Sequence, residues 1–338
     1  MSRSSSLSIL TCVALLVGQA TYAANFVVTH LDDGNDGECD AHCTLREAVI
    51  AANASPGADV VTLPAGSYVL TLPDATAGVD EDLAATGDLD VAGGGFTLEG
   101  AGSATTEIDA SSLGNRIFHV RRDFSSSAIV LRGVKLEGGN SSSLGLSAGA
   151  GSALRVDDSF PGLVVTLDDV VIDESGGVSA VRSVTTLHVI DSVFSENATG
   201  TALELTTANQ NKTGSAATQI ERTTFRQNHG FAITAVKSQN YSHQFQIFNS
   251  TLSGNNATGA AGTDAALITT NSGKIWNTTI ADDGGYGIAA IADFYGTPVV
   301  ELQSNVFRGN AFGSVMPTNA THGAVLPVSR GGNVVSDA

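Results

Sequence analysis

From about Ile129 onward the apolar positions recur in a fixed frame. An apolar residue, an outward-facing residue and a short polar turn are followed by a second apolar residue five positions after the first. Leu131 with Leu136 and Leu167 with Ile172 open the series. Val189 with Phe194, Ile220 with Phe225, Ile247 with Leu252, Ile275 with Ile280 and Leu302 with Phe307 continue it. From Phe194 on, the second members are 31, 27, 28 and 27 residues apart, a spacing that belongs to solenoids. Three residues after each stands Asn197, Asn228, Asn255, Asp283 or Asn310. Such a unit cannot bury its apolar face alone, so successive coils stack and share one core. The pattern predicts an inner column of Phe194, Phe225, Leu252, Ile280 and Phe307, and a ladder of Asn/Asp side chains bonded from coil to coil. The Gly, Thr and Val content of the units favours strands over helices. The expected fold is all-β, a right-handed parallel β-helix of about ten coils, roughly 50 Å long at ~4.8 Å per coil.

The N-terminal part has a different pattern. Asn25 to His30 reads as a strand, and Asp32-Asp-Gly-Asn-Asp-Gly37 as a turn-rich acidic loop. No register of that loop gives the spacing of an EF-hand. It reads as a solvated loop, with a weak calcium site at Asp32, Asp33 and Asp36 as the alternative. Thr44-Leu-Arg-Glu47 fits a capping box. Leu45, Val49 and Ala52 then share one helical face, and Ser55-Pro-Gly57 ends the helix. Strands are predicted at Val60–Leu63 and Tyr68–Leu72, and a surface loop from Asp74 to Thr86. A short helix placed before the repeats can close the open end of the stack.

Composition adds an address. Arg3, the apolar run Leu7 to Gly18 and Thr21-Tyr-Ala23 read as an export leader cut after Ala23. The run is too short to span a bilayer, and no later stretch reaches the ~18–20 apolar residues of a transmembrane helix. The expected organisation is a leader over 1–23, an N-terminal cap over 24–57 and a β-helix over 58–338. Beyond the leader two cysteines remain, Cys39 and Cys43. In an exported chain they read first as a disulfide, with a zinc site of Cys39, His42 and Cys43 as the rival. The net charge of −18 comes from 16 Lys and Arg against 34 Asp and Glu. A surface this acidic repels nucleic acid and anionic lipid. With 38 Gly and 15% charged residues, the chain has turn-rich β composition and not that of a disordered one.

Cys43-Thr-Leu-Arg-Glu-Ala-Val-Ile-Ala-Ala-Asn53 resembles the signature of CSLREA-domain proteins. Asp36-Gly37 with Cys39, Leu63-Pro-Ala-Gly-Ser-Tyr68, Gly87-Asp-Leu-Asp-Val91 and Leu98-Glu-Gly-Ala-Gly102 through Ile108-Asp109 agree with it. The specific part covers roughly residues 25 to 120. The resemblance implies an exported, mostly bacterial protein whose N-terminal segment leads into a pectin-lyase-like right-handed β-helix. Thr44 stands for the usual Ser, which an N-cap accepts. Longer members continue past a Gly-Gly-Asn stretch into a closing segment, whereas this chain stops at Ala338; it reads either as a fragment without its C-terminal cap or as a chain whose last coil is closed in another way. The family implies no single chemistry.

Candidate chemistry is sparse. Asp157-Asp158, Asp168-Asp169 and Asp282-Asp283 are paired carboxylates, but without the Gly-His-Gly and Arg-x-Lys of polygalacturonase-type hydrolysis. They read as solvated turns. Arg121-Arg122, Arg132 and Lys135 are the densest basic spots and read as surface charge. The sharper feature is a column. Strand alternation puts Ile190, Glu221, Phe248, Trp276 and Gln303 on the outer face. His188, Gln219, Gln246, Lys274 and Glu301 fall on it as a second, polar column. Phe248 and the single Trp are expected on neighbouring coils as a contact for a glycan or a partner protein, unless a loop such as Thr206 to Ala216 covers them. The leading reading is a monomeric, non-catalytic secreted or cell-surface protein that needs no cofactor and binds a glycan or cell-envelope partner. A polysaccharide lyase or hydrolase comes second, and a structural rod or adhesin fragment third.

Overall fold

The computed structural model describes residues 23–336, apart from 77–78, 93, 122–127, 143–149, 158–161, 207–216, 237–243, 256–263, 293–296 and 317–323. Residues 1–22 of the leader read over 1–23, and residues 207–216 of the loop Thr206 to Ala216, therefore lie outside the described residues. Among the described residues every strand pairing is parallel, save one isolated antiparallel bridge between Ile291 and Ala324. Coils stack into a parallel β-helix, right-handed as crossovers between parallel strands are.

A typical coil carries three strand segments, as in Thr186–Ile190, Val193–Ser195 and Ala198–Thr206. The first and second segments form one 19-stranded sheet, because Ala128–Glu137 and Val164–Asp173 run through both. The third segments form a separate nine-stranded sheet. The predicted anchors are aligned. Leu98, Leu131, Leu167, Val189, Ile220, Ile247, Ile275 and Leu302 follow one another in register. So do Phe194, Phe225, Leu252, Ile280 and Phe307, all buried. The rings of Phe194 and Phe225 stack with centroids 4.6 Å apart. A third inner column, Leu89, Phe118, Leu154, Val181, Leu203, Ile233, Leu267 and Ile288, faces them from the other sheet.

The coil bends twice, each time through a residue at positive φ. Asp191, Arg222, Asn249, Asn277 and Ser304 turn the first corner at φ 48–55°. Glu196, Gln227, Gly254, Asp282 and Gly309 turn the second at 53–66°. A side chain held there costs about 1–2 kcal/mol, and the ladders that follow offset it. At the second corner Asn197 Nδ2 donates to Asn228 Oδ1 at 2.8 Å, and Asn228 to Asn255 at 2.8 Å. Each amide also donates to a carbonyl of the preceding coil, as Asn228 does to Phe194 at 3.1 Å. The first corner holds a ladder that anchor spacing did not reveal. There Thr223 N donates to Ser250 Oγ and Thr278 N to Asn305 Oδ1.

The helix Leu45–Ala54 covers the first coils. Thr44 accepts from Glu47 N at 3.2 Å, while Glu47 Oε2 accepts from Thr44 N at 2.8 Å. Asn25–Val27 pairs in register with Val60–Thr62 and so belongs to the stack. Cys39 and Cys43 are joined as a disulfide. No helix among the described residues is long and apolar enough to cross a membrane.

Candidate functional site

Period-two alternation turns Gln246 and Phe248 outward from the strand Phe245–Phe248, whose Phe245 and Ile247 are buried. The next coil does the same with Lys274 and Trp276, and the next with Glu301 and Gln303. Phe248 is in register with Trp276, and Trp276 with Gln303. The two half-buried rings stack, with centroids 5.6 Å apart and planes 19° from parallel. At the starts of the same strands, and lined by neither ring, lies a shallow pocket of about 170 Å³ formed by Gln244, Phe245, Gln246, Ser272, Gly273, Lys274, Val299 and Glu301. Gly273 makes room for its floor, since a Cβ there would stand 2.4 Å from the Phe245 ring.

Carboxylates on this face are tied to cations. Glu301 faces Lys274 at 3.9 Å and is bonded by Arg330, which holds its carboxyl below the usual range. Glu221 is paired with Arg222, which also forks onto Asp191 at 2.6 and 2.9 Å. The basic spots near the N-terminus pair across coils in the same way. Arg132 lies 3.1 Å from Asp168, and Lys135 lies 3.3 Å from both Glu107 and Asp173.

The carboxylates of the acidic loop go to separate partners. Asp33 is buried, forks with Arg46 at 2.7 and 3.1 Å, and accepts from Thr71 N and Leu72 N. Asp36 accepts from Glu38 N, and Asp32 faces His42 at 3.5 Å. The three form no group of atoms close enough to share an ion, among the described residues. Cys39 and Cys43, being oxidised, leave no thiolates for zinc.

The reading of the Asp pairs as solvated turns needs correction for Asp157 and Asp283, both buried. Asp158 and Arg122 lie outside the described residues. Asp157 belongs to a charged network on the outer face of the third-segment sheet. It accepts from Arg155 Nε at 2.6 Å and Arg182 Nη1 at 3.1 Å. His119 sits between Asp157, 3.5 Å from Nε2, and Asp90, 3.2 Å from Nδ1. Burial opposes charge on that imidazole, but the two carboxylates outweigh it and push its pKa up to about 9. Asp157 is held low despite burial by His119 and Arg155. Asp88 and Asp90 are fully buried nearby, and burial raises both. Arg116 reaches Asp80 at 3.0 Å and Asp88 at 3.4 Å.

Anchor spacing missed these residues because it followed only the first two segments of each coil. A signal was present. Asp88-Leu-Asp-Val91 alternates with buried Leu89 and Val91, which puts both carboxylates on one face. His119 between buried Phe118 and Val120 joins Asp90 by register.

No family model matches the chain, and no curated protein matches it. Similar solved structures include Geobacillus virus E2 ORF18, at TM-score 0.47 and 13% identity over 85% of this chain. The chain spans 59% of the length of that viral protein. Pectate lyase Pel9A is similar at TM-score 0.49 and 13% identity, over 86% of this chain and 70% of its own. A pectin methylesterase from Aspergillus niger gives 0.43 and 14%, over 96% and 94%.

Proposed function

We propose that this is an exported β-helix protein of the CSLREA type that binds a glycan, without cleaving it, on the face bearing Phe248 and Trp276. The observation that carries the reading is the stacked aromatic pair flanked by Gln246, Lys274, Glu301 and Gln303 beside an open pocket. A flat apolar platform with a few polar groups at its margin suits a sugar ring, whose faces are apolar and whose edges carry hydroxyls. Non-catalytic action is supported by the state of the carboxylates. Hydrolysis needs one raised and one ionised carboxyl facing the same bond, whereas Glu301 is held low and Glu221 is ion-paired. The leader-like N-terminus and the disulfide support an extracellular address.

Native affinity electrophoresis through gels holding single polysaccharides, stained afterwards for lost polymer, tests this. Retardation is expected with at least one polymer, and Trp276→Ala should weaken it about tenfold, the value of losing a stacked aromatic contact. A cleared zone would establish the lyase or hydrolase reading instead. Retardation indifferent to Trp276→Ala would remove the aromatic face from the site.

A further inference from the structure

Near the helical end of the stack, three chain segments bring metal-ligating groups together on the face opposite in chemistry to the aromatic one. Asp80 comes from the connection before Leu89–Val91, Asp88 adjoins that strand, and His119 lies on Phe118–Val120. One ligand atom from each lies within 4.8 Å of the others. That is the spread of atoms sharing one ion at ~2.0–2.5 Å.

An acidic cluster is common without an ion, but Asp88 adds an independent observation. Its side chain is fully buried, and neither carboxylate oxygen accepts a hydrogen bond among the described residues. A carboxylate so placed is costly unless something else meets it. Arg116 meets only part of the demand. Its Nη1 donates to Asp80 Oδ2 at 3.0 Å, and its Nε stands 3.4 Å from Asp88 Oδ2. One oxygen of each carboxylate thus faces the guanidinium, while Oδ1 of each is buried without a hydrogen bond. His119 has a carboxylate at either ring nitrogen, Asp90 at 3.2 Å and Asp157 at 3.5 Å. A metal would therefore replace one of these two contacts, while the other carboxylate stays as the outer partner that fixes the ring.

We propose that Asp80, Asp88 and His119 hold a divalent transition-metal cation, of the zinc or manganese class, which fastens the connection carrying Asp80 to the first coils. The imidazole sets the class, because calcium and magnesium take oxygen ligands, whereas mixed nitrogen and oxygen sets suit zinc and manganese. A second group, Asp82, Asp90 and His119, shares the same ring. It is the poorer set: Asp82 is exposed, Arg121 donates to its carbonyl, and Asp90 already accepts from Ala84 N. Coordination needs the neutral ring, so cation and proton compete for one nitrogen. The site is remote in register from Phe248 and Trp276 and stands or falls apart from glycan binding.

The purified chain is dialysed against EDTA and titrated calorimetrically with Zn²⁺, Mn²⁺ and Ca²⁺ separately, with thermal unfolding followed in parallel. One equivalent of zinc or manganese is expected per chain, together with a raised unfolding midpoint. Asp88→Asn and His119→Gln should each weaken binding by about tenfold or more. Absence of zinc and manganese binding, binding of calcium alone, or binding unchanged in both variants overturns the proposal. If either variant fails to fold by circular dichroism, Asp80→Asn on the partly exposed connection takes its place, and unaltered zinc binding there overturns it equally.

Discussion

Asp283 occupies an asparagine's place in the second-corner ladder. Its Oδ1 accepts from Asn255 N at 2.8 Å and from Asn255 Nδ2 at 3.0 Å, as an amide oxygen would. Its other oxygen is buried with no hydrogen bond, where its neighbours carry a donating NH₂. Burial pushes its pKa up to about 7 against the lowering effect of Asn255. The folded chain therefore holds a proton that the unfolded chain, with a carboxyl near 3.9, releases. Stability from this group is greatest at low pH, declines as pH rises from about 4 to 7, and stays reduced above. Asp283→Asn is expected to remove that slope and to stabilise the chain above pH 7, on the order of 2–4 kcal/mol. Urea unfolding of both forms at pH 5 and pH 8 checks this, and a gain equal at both values would count against it.

Among the elements, the helix Leu45–Ala54 shows how local and distant determinants combine. Its start was legible, since Thr44 and Glu47 satisfy each other's backbone amides within four residues. The role of Arg46 was not, because a helical-wheel reading assigns a charged residue to the solvent side. Asp33, 13 residues earlier, and the carbonyls of Ala84 and Gly87 draw the guanidinium inward. Arg46 is among the largest fully buried side chains. Arg46→Ala leaves Asp33 buried without its partner, which costs about 3–5 kcal/mol. Thermal unfolding of the variant should show the loss. A fall smaller than that of a surface arginine such as Arg226→Ala would refute the assignment.

Along the whole molecule, each coil touches chiefly its two neighbours, so stability is close to a sum of coil and interface contributions. Phe225 is fully buried and stacked on Phe194. Phe225→Ala is expected to cost about 3–5 kcal/mol and to open the stack locally. Hydrogen exchange should accelerate in Val189–Phe194 and Ile247–Leu252 while Leu45–Ala54 keeps its protection. Uniform acceleration along the chain would mean that the β-helix unfolds as one unit.

The amino-acid sequence alone determined the repeat, the two anchor columns, the Asn/Asp ladder of the second corner and the capped helix. All of these rest on periodicity or on partners a few residues apart, and short-range geometry writes them directly into residue order. It also placed Phe248 and Trp276 side by side, because register in a regular coil follows from the period. The buried network of Asp88, Asp90, Arg116, His119 and Asp157 was decided only in three dimensions. Its members come from three coils and a connection of irregular length. Whether such charges face water or one another depends on which segment lies over them, and no local pattern encodes that.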